Sequence, residues 1–259
     1  MKKLIAIALS LVLILALCVG CGQKAPAADI PTLEAGKLIM STNASFPPYE
    51  MTDDNGDYIG IDVEIAKAIA DKLGLELQID DMGFTAALEA AQNGSSDMVM
   101  AGVTVNEDRL AVMDFSNSYA TGIQVVIVPE DSEIASLDDL EGKTIGTQMG
   151  TTGYIYASDT PENGGYGEEN VIPYDNGITA VNALMNGQVD CVIIDNGPAQ
   201  EFVKANPGLK ILETEWLTEN YAIGFAKGSA LTEKVNAALE ELTADGTIQN
   251  IIDKYIVAE

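Results

Sequence analysis

The sequence contains no histidine, one tryptophan, one arginine and only three cysteines. Without histidine the usual general base and the commonest metal ligand are missing, so Ser-His-Asp and Cys-His chemistry are excluded. Cys18 and Cys21 lie in the first residues, which leaves Cys191 without a disulfide partner in the rest of the chain. Positive charge is scarce as well: 13 Lys and Arg stand against 40 Asp and Glu, a net charge of −27. A surface of that sign cannot neutralise phosphates, which excludes nucleic acid as a partner, and it is repelled by anionic lipid headgroups. Two motifs that would suggest a bound ion or nucleotide are incomplete. Asp53, Asn55, Asp57 and Glu64 imitate part of a calcium loop, but Tyr58 stands where its glycine is required, so a hairpin turn is predicted. Gly164-Gly165-Tyr166-Gly167 lacks the Lys and Ser/Thr of a phosphate loop and is predicted to be an exposed turn. No metal and no cofactor is expected.

What is present begins with Lys2 and Lys3, followed by an apolar or small run from Leu4 to Gly20 that ends at Cys21. This is the pattern of an export signal over residues 1–20, short for a membrane span of about 20 apolar residues. Val19-Gly20-Cys21-Gly22 has the form of a lipoprotein processing site, so Cys21 is the expected lipidation site, although Cys18 stands where such signals usually carry Leu. Removing residues 1–20 takes away two lysines and no acid, moving the net charge from −27 to −29. The expected product is a monomer on the extracytoplasmic face of the cell membrane, held there only by lipid, with residues 21–35 as linker.

Beyond the linker, apolar runs alternate with helical patterns, the mark of an α/β fold. Residues 37–41 read as a strand. Ile61, Ile65, Ile69 and Leu73 make an i, i+4 stripe on a helix closed by Gly74, and Leu75, Leu77 and Ile79 alternate as the next strand. Further strands are predicted at 98–101, 123–128, 144–147, 189–194, 209–212 and 221–226. Helices are predicted at 85–93, 106–112, 151–158, 178–186, 197–206 and 230–255, the last breaking at Gly246. One internal echo stands out: Asn93-Gly94-Ser95-Ser96-Asp97 before Met98–Gly102 parallels Asn186-Gly187-Gln188-Val189-Asp190 before Cys191–Asp195. It suggests two equivalent lobes, with Gly102 and Asp195 at carboxyl ends of strands, where open α/β sheets bind ligands.

Polar residues gather at those strand ends. The sole arginine, Arg109, follows Gly102-Val103-Thr104-Val105-Asn106-Glu107-Asp108. Its planar fork suits a carboxylate, yet a surface helix arginine paired with Glu107 or Asp108 fits the local sequence equally. Asp195 could hold an ammonium group or cap the helix after it. Gly150-Thr151-Thr152 opens a helix and offers backbone N–H groups to an anion. Phe46, in a proline-stiffened loop, and Phe84 could wall a pocket or pack as core.

In combination these segments resemble solute-binding family 3, the extracytoplasmic amino-acid-binding proteins of ABC importers, with glutamine-, histidine- and lysine/arginine-binding members. The resemblance covers about residues 37–256. It rests on Ala101-Gly102-Val103-Thr104 with Glu107-Asp108-Arg109, on Asp114-Phe115-Ser116 with Tyr119, and on Gly60-Ile61-Asp62-Val63, with Gly150-Thr151-Thr152 and Asp190–Asp195 also fitting. It implies a two-lobed periplasmic-binding-protein-like fold of type II, with residues 36–121 plus 223–259 as lobe one, 122–222 as lobe two, and two hinge strands near 120–124 and 221–225. It also implies that Arg109 clamps a ligand α-carboxylate, helped by Thr104 and by the backbone at Gly102 and Thr152, and that Asp195 takes the α-ammonium. Phe46 and Phe84 match positions that sandwich the ligand side chain, while Asn43 and Gln148 match positions that help to choose it. Asn43 departs from relatives that carry an acid there, so their specificities are not inherited.

The expected function is capture of a free amino acid between the lobes and delivery to an ABC importer permease, without catalysis. A sensing lipoprotein and an exported dehydratase are the competing readings. No lysine occurs in 41–50, 82–85, 101–109, 148–153 or 194–198, so a second ligand carboxylate would be buried without a cation. The ligand is therefore expected to carry a polar uncharged or a basic side chain. Glu50 or Asp81 could answer a positive charge.

Overall fold

The computed structural model describes residues 30–256 except 213 and 215. The signal segment and Cys21 lie outside the described residues. Among the described residues no helix is long and apolar enough to cross a membrane. The strands are β1 (Lys37–Thr42), β2 (Ser45–Phe46), β3 (Glu50–Thr52), β4 (Tyr58–Ile59), β5 (Glu76–Asp81), β6 (Met98–Val99) and β7 (Met113–Phe115). They continue as β8 (Ala120–Pro129), β9 (Ile145–Gln148), β10 (Val171–Tyr174), β11 (Cys191–Asp195), β12 (Leu209–Ile211), β13 (Leu217–Tyr221) and β14 (Gly224–Ala226).

Two larger sheets define the two lobes. The first has the order β5-β1-β6-β14-β7, with β5 and β6 parallel to β1 and with β14 antiparallel to both of its neighbours. The second has the order β10-β9-β11-β8-β12, and β13 also pairs with β8. The chain crosses from the first sheet to the second by entering β8 and returns by leaving β13. Those two strands run side by side, from Leu217 opposite Gln124 to Tyr221 opposite Ala120.

The helical stripe buries as its spacing requires. Within the helix Ile61–Leu73, the side chains of Ile61, Ile65 and Ile69 are fully buried, and Gly74 closes it in the left-handed conformation. The echo has a physical basis too. Asp97 N–H donates to Ile39 C=O while the Asp97 carboxylate accepts from Ile39 N–H at 2.8 Å. Asp190 repeats both bonds on Thr144, the return bond again at 2.8 Å. Each aspartate thus fastens its own strand to the neighbouring one, at the start of β6 in one lobe and of β11 in the other.

Some expectations need correction. The strand predicted over 221–226 is two pieces, because Ala222 N–H goes to Val103 C=O and Ile223 C=O accepts from Ser116 N–H, which turns the chain between β13 and β14. The strand over 98–101 stops at Val99. Strand β10 is absent from the predicted strands; its Pro173 cannot donate to a ladder, and it is tolerated at the sheet edge, parallel to β9. The glycine-rich run at 164–167 is not an exposed turn: Gly165 and Gly167 are buried and the Tyr166 ring packs beside Trp216, 5.8 Å between centroids. Residues 53–57 do turn the hairpin between β3 and β4, with the Asp53 carboxylate accepting from the N–H groups of Asn55 and Asp57. Cys191 is fully buried in the second sheet.

Gly60 fixes the loop that carries Phe46, Tyr49 and Glu50. It has φ of +127°, a Cβ there would run into the Tyr49 carbonyl, and the next two N–H groups bond to Pro48 and Tyr49 carbonyls. Gly60→Ala is expected to destabilise the fold by about 1–3 kcal/mol in denaturant unfolding. A loss below about 0.5 kcal/mol would show that the loop does not depend on this contact.

Candidate ligand-binding site

All nine residues singled out as ligand-binding line one cavity, at the carboxyl ends of strands from both sheets. The space between atoms, counted out to open solvent, amounts to about 320 Å³, and only a small part of it is enclosed in this conformation. Phe46, Phe84, Gly102, Thr104 and Arg109 come from the first lobe, and Gln148, Thr152 and Asp195 from the second. Glu50 lines the cavity as well, whereas the Asp81 carboxylate turns to the Ala44 N–H.

Arg109 is 92% buried rather than a surface residue. Its Nη1 donates to Thr104 C=O at 2.7 Å and its Nη2 to Gly150 C=O at 3.2 Å, so the guanidinium spans the two lobes through neutral carbonyls. Burial pushes its pKa down, and the fields of Glu219, Tyr156 and Asp195 oppose that. Its Cζ also lies 5.5 Å from the centre of the Phe84 ring, which makes that ring a cation–π partner of the arginine. Phe46 stacks with Tyr49 and lies over Gly102, where φ is +55° and a Cβ would stand 2.7 Å from the ring. The Gly102 N–H donates to Asp62 at 3.0 Å, so that donor is engaged within the first lobe.

Asp195 precedes the helix Asn196–Ala205 without a side-chain capping bond. Its carboxylate instead accepts from the Tyr221 hydroxyl. Burial raises its pKa to about 7; the Glu219 charge adds to the rise, and hydrogen bonds from Tyr221 and Gln124 oppose it. Glu50 is fully buried and accepts from no N–H or O–H donor among the described residues; burial, then the neighbouring Asp62 charge and a side-chain hydrogen bond shared with Asp62, raises its pKa well above the ordinary value. Asn43 and Gln148 face each other across the lobes: Gln148 Nε2 donates to Asn43 Oδ1 at 3.0 Å, and Asn43 Nδ2 donates to Met82 C=O. Among the described residues no group of His, Cys, Asp and Glu could hold a metal ion.

The family model for bacterial extracellular solute-binding proteins, family 3, matches residues 38–258. The chain belongs to that family. An arginine-binding extracellular protein of Bacillus subtilis is 32% identical over 96% of this chain and 98% of its own length. A probable histidine-binding protein of Neisseria gonorrhoeae is 34% identical over 100% of this chain and 97% of its own. An ancestral arginine-binding protein bound to glutamine superposes with a TM-score of 0.80 at 38% identity, covering 87% of this chain and all of that one. As a family 3 protein, this chain is an extracytoplasmic amino-acid-binding protein of the ABC transporter type and not an enzyme.

Sequence reasoning passed over Gln124, Glu219 and Tyr221 and named Asp62 only within the motif Gly60–Val63; all four are buried polar groups at or beneath the cavity wall. A signal existed for Gln124, a lone polar residue inside the apolar run Ile123–Val128. None existed for Glu219, which sits in the polar run Thr218-Glu219-Asn220.

The raised values carry a sign. Asp195 at about 7 and Asp62 at about 6 keep protons in the folded protein that the unfolded chain releases near 3.8. Without ligand, stability is therefore expected to fall as pH rises from about 5 to about 8, while affinity for an ammonium group at Asp195 rises over the same range. Melting curves and calorimetry across that range check both; in Asp195→Asn the fall in melting temperature should flatten. A melting temperature that climbs with pH would refute the assignment.

Proposed function

We propose that this protein captures a free amino acid with a basic or polar uncharged side chain and delivers it to an ABC importer permease. One observation carries the reading. The cavity pairs a single guanidinium, bonded only to carbonyl oxygens among the described residues, with two buried carboxylates, Asp195 and Glu50. A zwitterion answers the first two: its α-carboxylate fits Arg109 and its α-ammonium fits Asp195. Glu50 remains, and a cationic side chain beside it would draw it into the charged form and supply the hydrogen bonds its oxygens lack. Basic ligands therefore rank first, in keeping with the arginine- and histidine-binding relatives. An amide is the second choice, and glutamate is excluded because its extra carboxylate would meet Glu50 with no further cation on the wall.

Closure of residues 36–121 plus 223–259 on residues 122–222 would exclude water and strengthen each charge pair. The cross-lobe bonds Arg109–Gly150 and Asn43–Gln148 support a closed form of that kind. Lipidation at Cys21 would keep the protein beside its permease.

Competition calorimetry with arginine, glutamine and glutamate at equal concentration tests the ligand class. Arginine is expected to bind tightest and glutamate weakest; glutamate ahead of the other two would overturn the reading. Arg109→Lys keeps the charge but loses the two-pronged grip, and should weaken arginine by about 2 kcal/mol or more, roughly 30-fold. Near-unchanged affinity would mean that the carboxylate is held elsewhere.

A further inference from the structure

Strand β13 presents Glu219 and Tyr221 two residues apart, hence on one face of the sheet. Both are buried, at 5% and 0% exposure, and each reaches a different residue of the cavity wall. Glu219 Oε2 accepts from the Thr152 hydroxyl at 2.9 Å and from Gln124 Nε2 at 2.8 Å, while the Tyr221 hydroxyl donates to Asp195 Oδ1. Strand β8 makes room for this. Gly122 is paired with Glu219, and a Cβ there would press on the Tyr221 hydroxyl and stand 2.6 Å from Asp195 Oδ1. Gln124, two residues further, is paired with Asp195 on β11.

Folding alone gives little reason for an acid at 219. Glu219 Oε1 and Gln124 Oε1 are buried without partners among the described residues, and an unpartnered buried acceptor is destabilising where an apolar side chain would be neutral. Tyr221, for its part, is tied to the first lobe: it bridges to Thr104, its carbonyl accepts from Tyr119 N–H, and its ring meets Tyr49 edge-on at 5.1 Å. A change in the crossing of the lobes therefore shifts Tyr221 against Asp195.

Resting on the proposed function, we infer that β13 is the positioning strand for both poles of the ligand. Glu219 sets Thr152 for the carboxylate, and Tyr221 sets Asp195 for the ammonium. Glu219 and Tyr221 are thus positioning residues, acting through their neighbours.

The test is calorimetry of the purified protein with three probes: arginine, agmatine, which lacks the α-carboxylate, and 5-guanidinopentanoic acid, which lacks the α-ammonium. Tyr221→Phe should weaken arginine by about tenfold, the scale of one hydrogen bond to a charged group, and leave 5-guanidinopentanoic acid within about twofold. Glu219→Leu should weaken arginine similarly and leave agmatine within about twofold. If Glu219→Leu does not fold, Glu219→Gln, which keeps the side-chain shape and removes the charge that accepts from Thr152, should weaken arginine in the same direction and again leave agmatine within about twofold. Equal losses for all three probes, or none for arginine, refute this inference alone. Failure of the unaltered protein to bind any of arginine, histidine and glutamine refutes the proposed function and takes this inference with it; where histidine or glutamine is the one bound, the same losses are read with its decarboxylated and deaminated analogues.

Discussion

A buried guanidinium with no carboxylate in contact among the described residues is the constraint around which the rest of this molecule is arranged. Desolvating Arg109 is costly, and the protein offsets it with two backbone carbonyls, one ring face and the fields of nearby acids. None of these neutralises it by contact. The two carbonyls come from opposite lobes, so the guanidinium bridges the division of the molecule and stabilises the lobes' approach before any ligand carboxylate is considered.

The remaining charges follow the same logic with the opposite sign. Glu50, Asp62, Asp195 and Glu219 are all buried near one another, and they differ in how they are satisfied. Asp62 accepts from Gly102 N–H and from the Tyr119 hydroxyl, Asp195 from Tyr221, Glu219 from Thr152 and Gln124, and Glu50 from no described group. The well-bonded acids form the frame of the cavity, and Glu50, which lines it, has only its hydrogen bond with Asp62 among the described residues. The wall itself carries one cation, Arg109, and two acids, Glu50 and Asp195, whose raised pKa values leave them ready to ionise beside a cation.

Much of the architecture could be read locally. The stripe Ile61, Ile65, Ile69 and the Asn-Gly-x-x-Asp echo act within a few residues of themselves, and each has a direct counterpart in burial or in a repeated pair of hydrogen bonds. The wall residues were recognisable through the resemblance to family 3; position after a strand marked Arg109 and Asp195 as candidates but left a surface ion pair and a helix cap equally open for them. What stayed hidden depends on long separations in the chain. Gln148 and Asn43 meet across 105 residues and Glu219 and Thr152 across 67. Their partnership is set by where β8 and β13 cross, which no periodicity encodes. The engagement of the Gly102 N–H by Asp62, 40 residues earlier, is hidden for the same reason.

The buried cysteine of the second sheet has a consequence for life outside the cytoplasm. Thiol–disulfide exchange proceeds through the thiolate, and burial holds the Cys191 thiol at a pKa of about 12. At neutral pH the thiolate fraction is on the order of one in 100,000, and the side chain is sealed beneath the sheet as well. Once folded beside oxidants and other exported thiols, the second sheet thus carries a sulfur that resists both crosslinking and exchange.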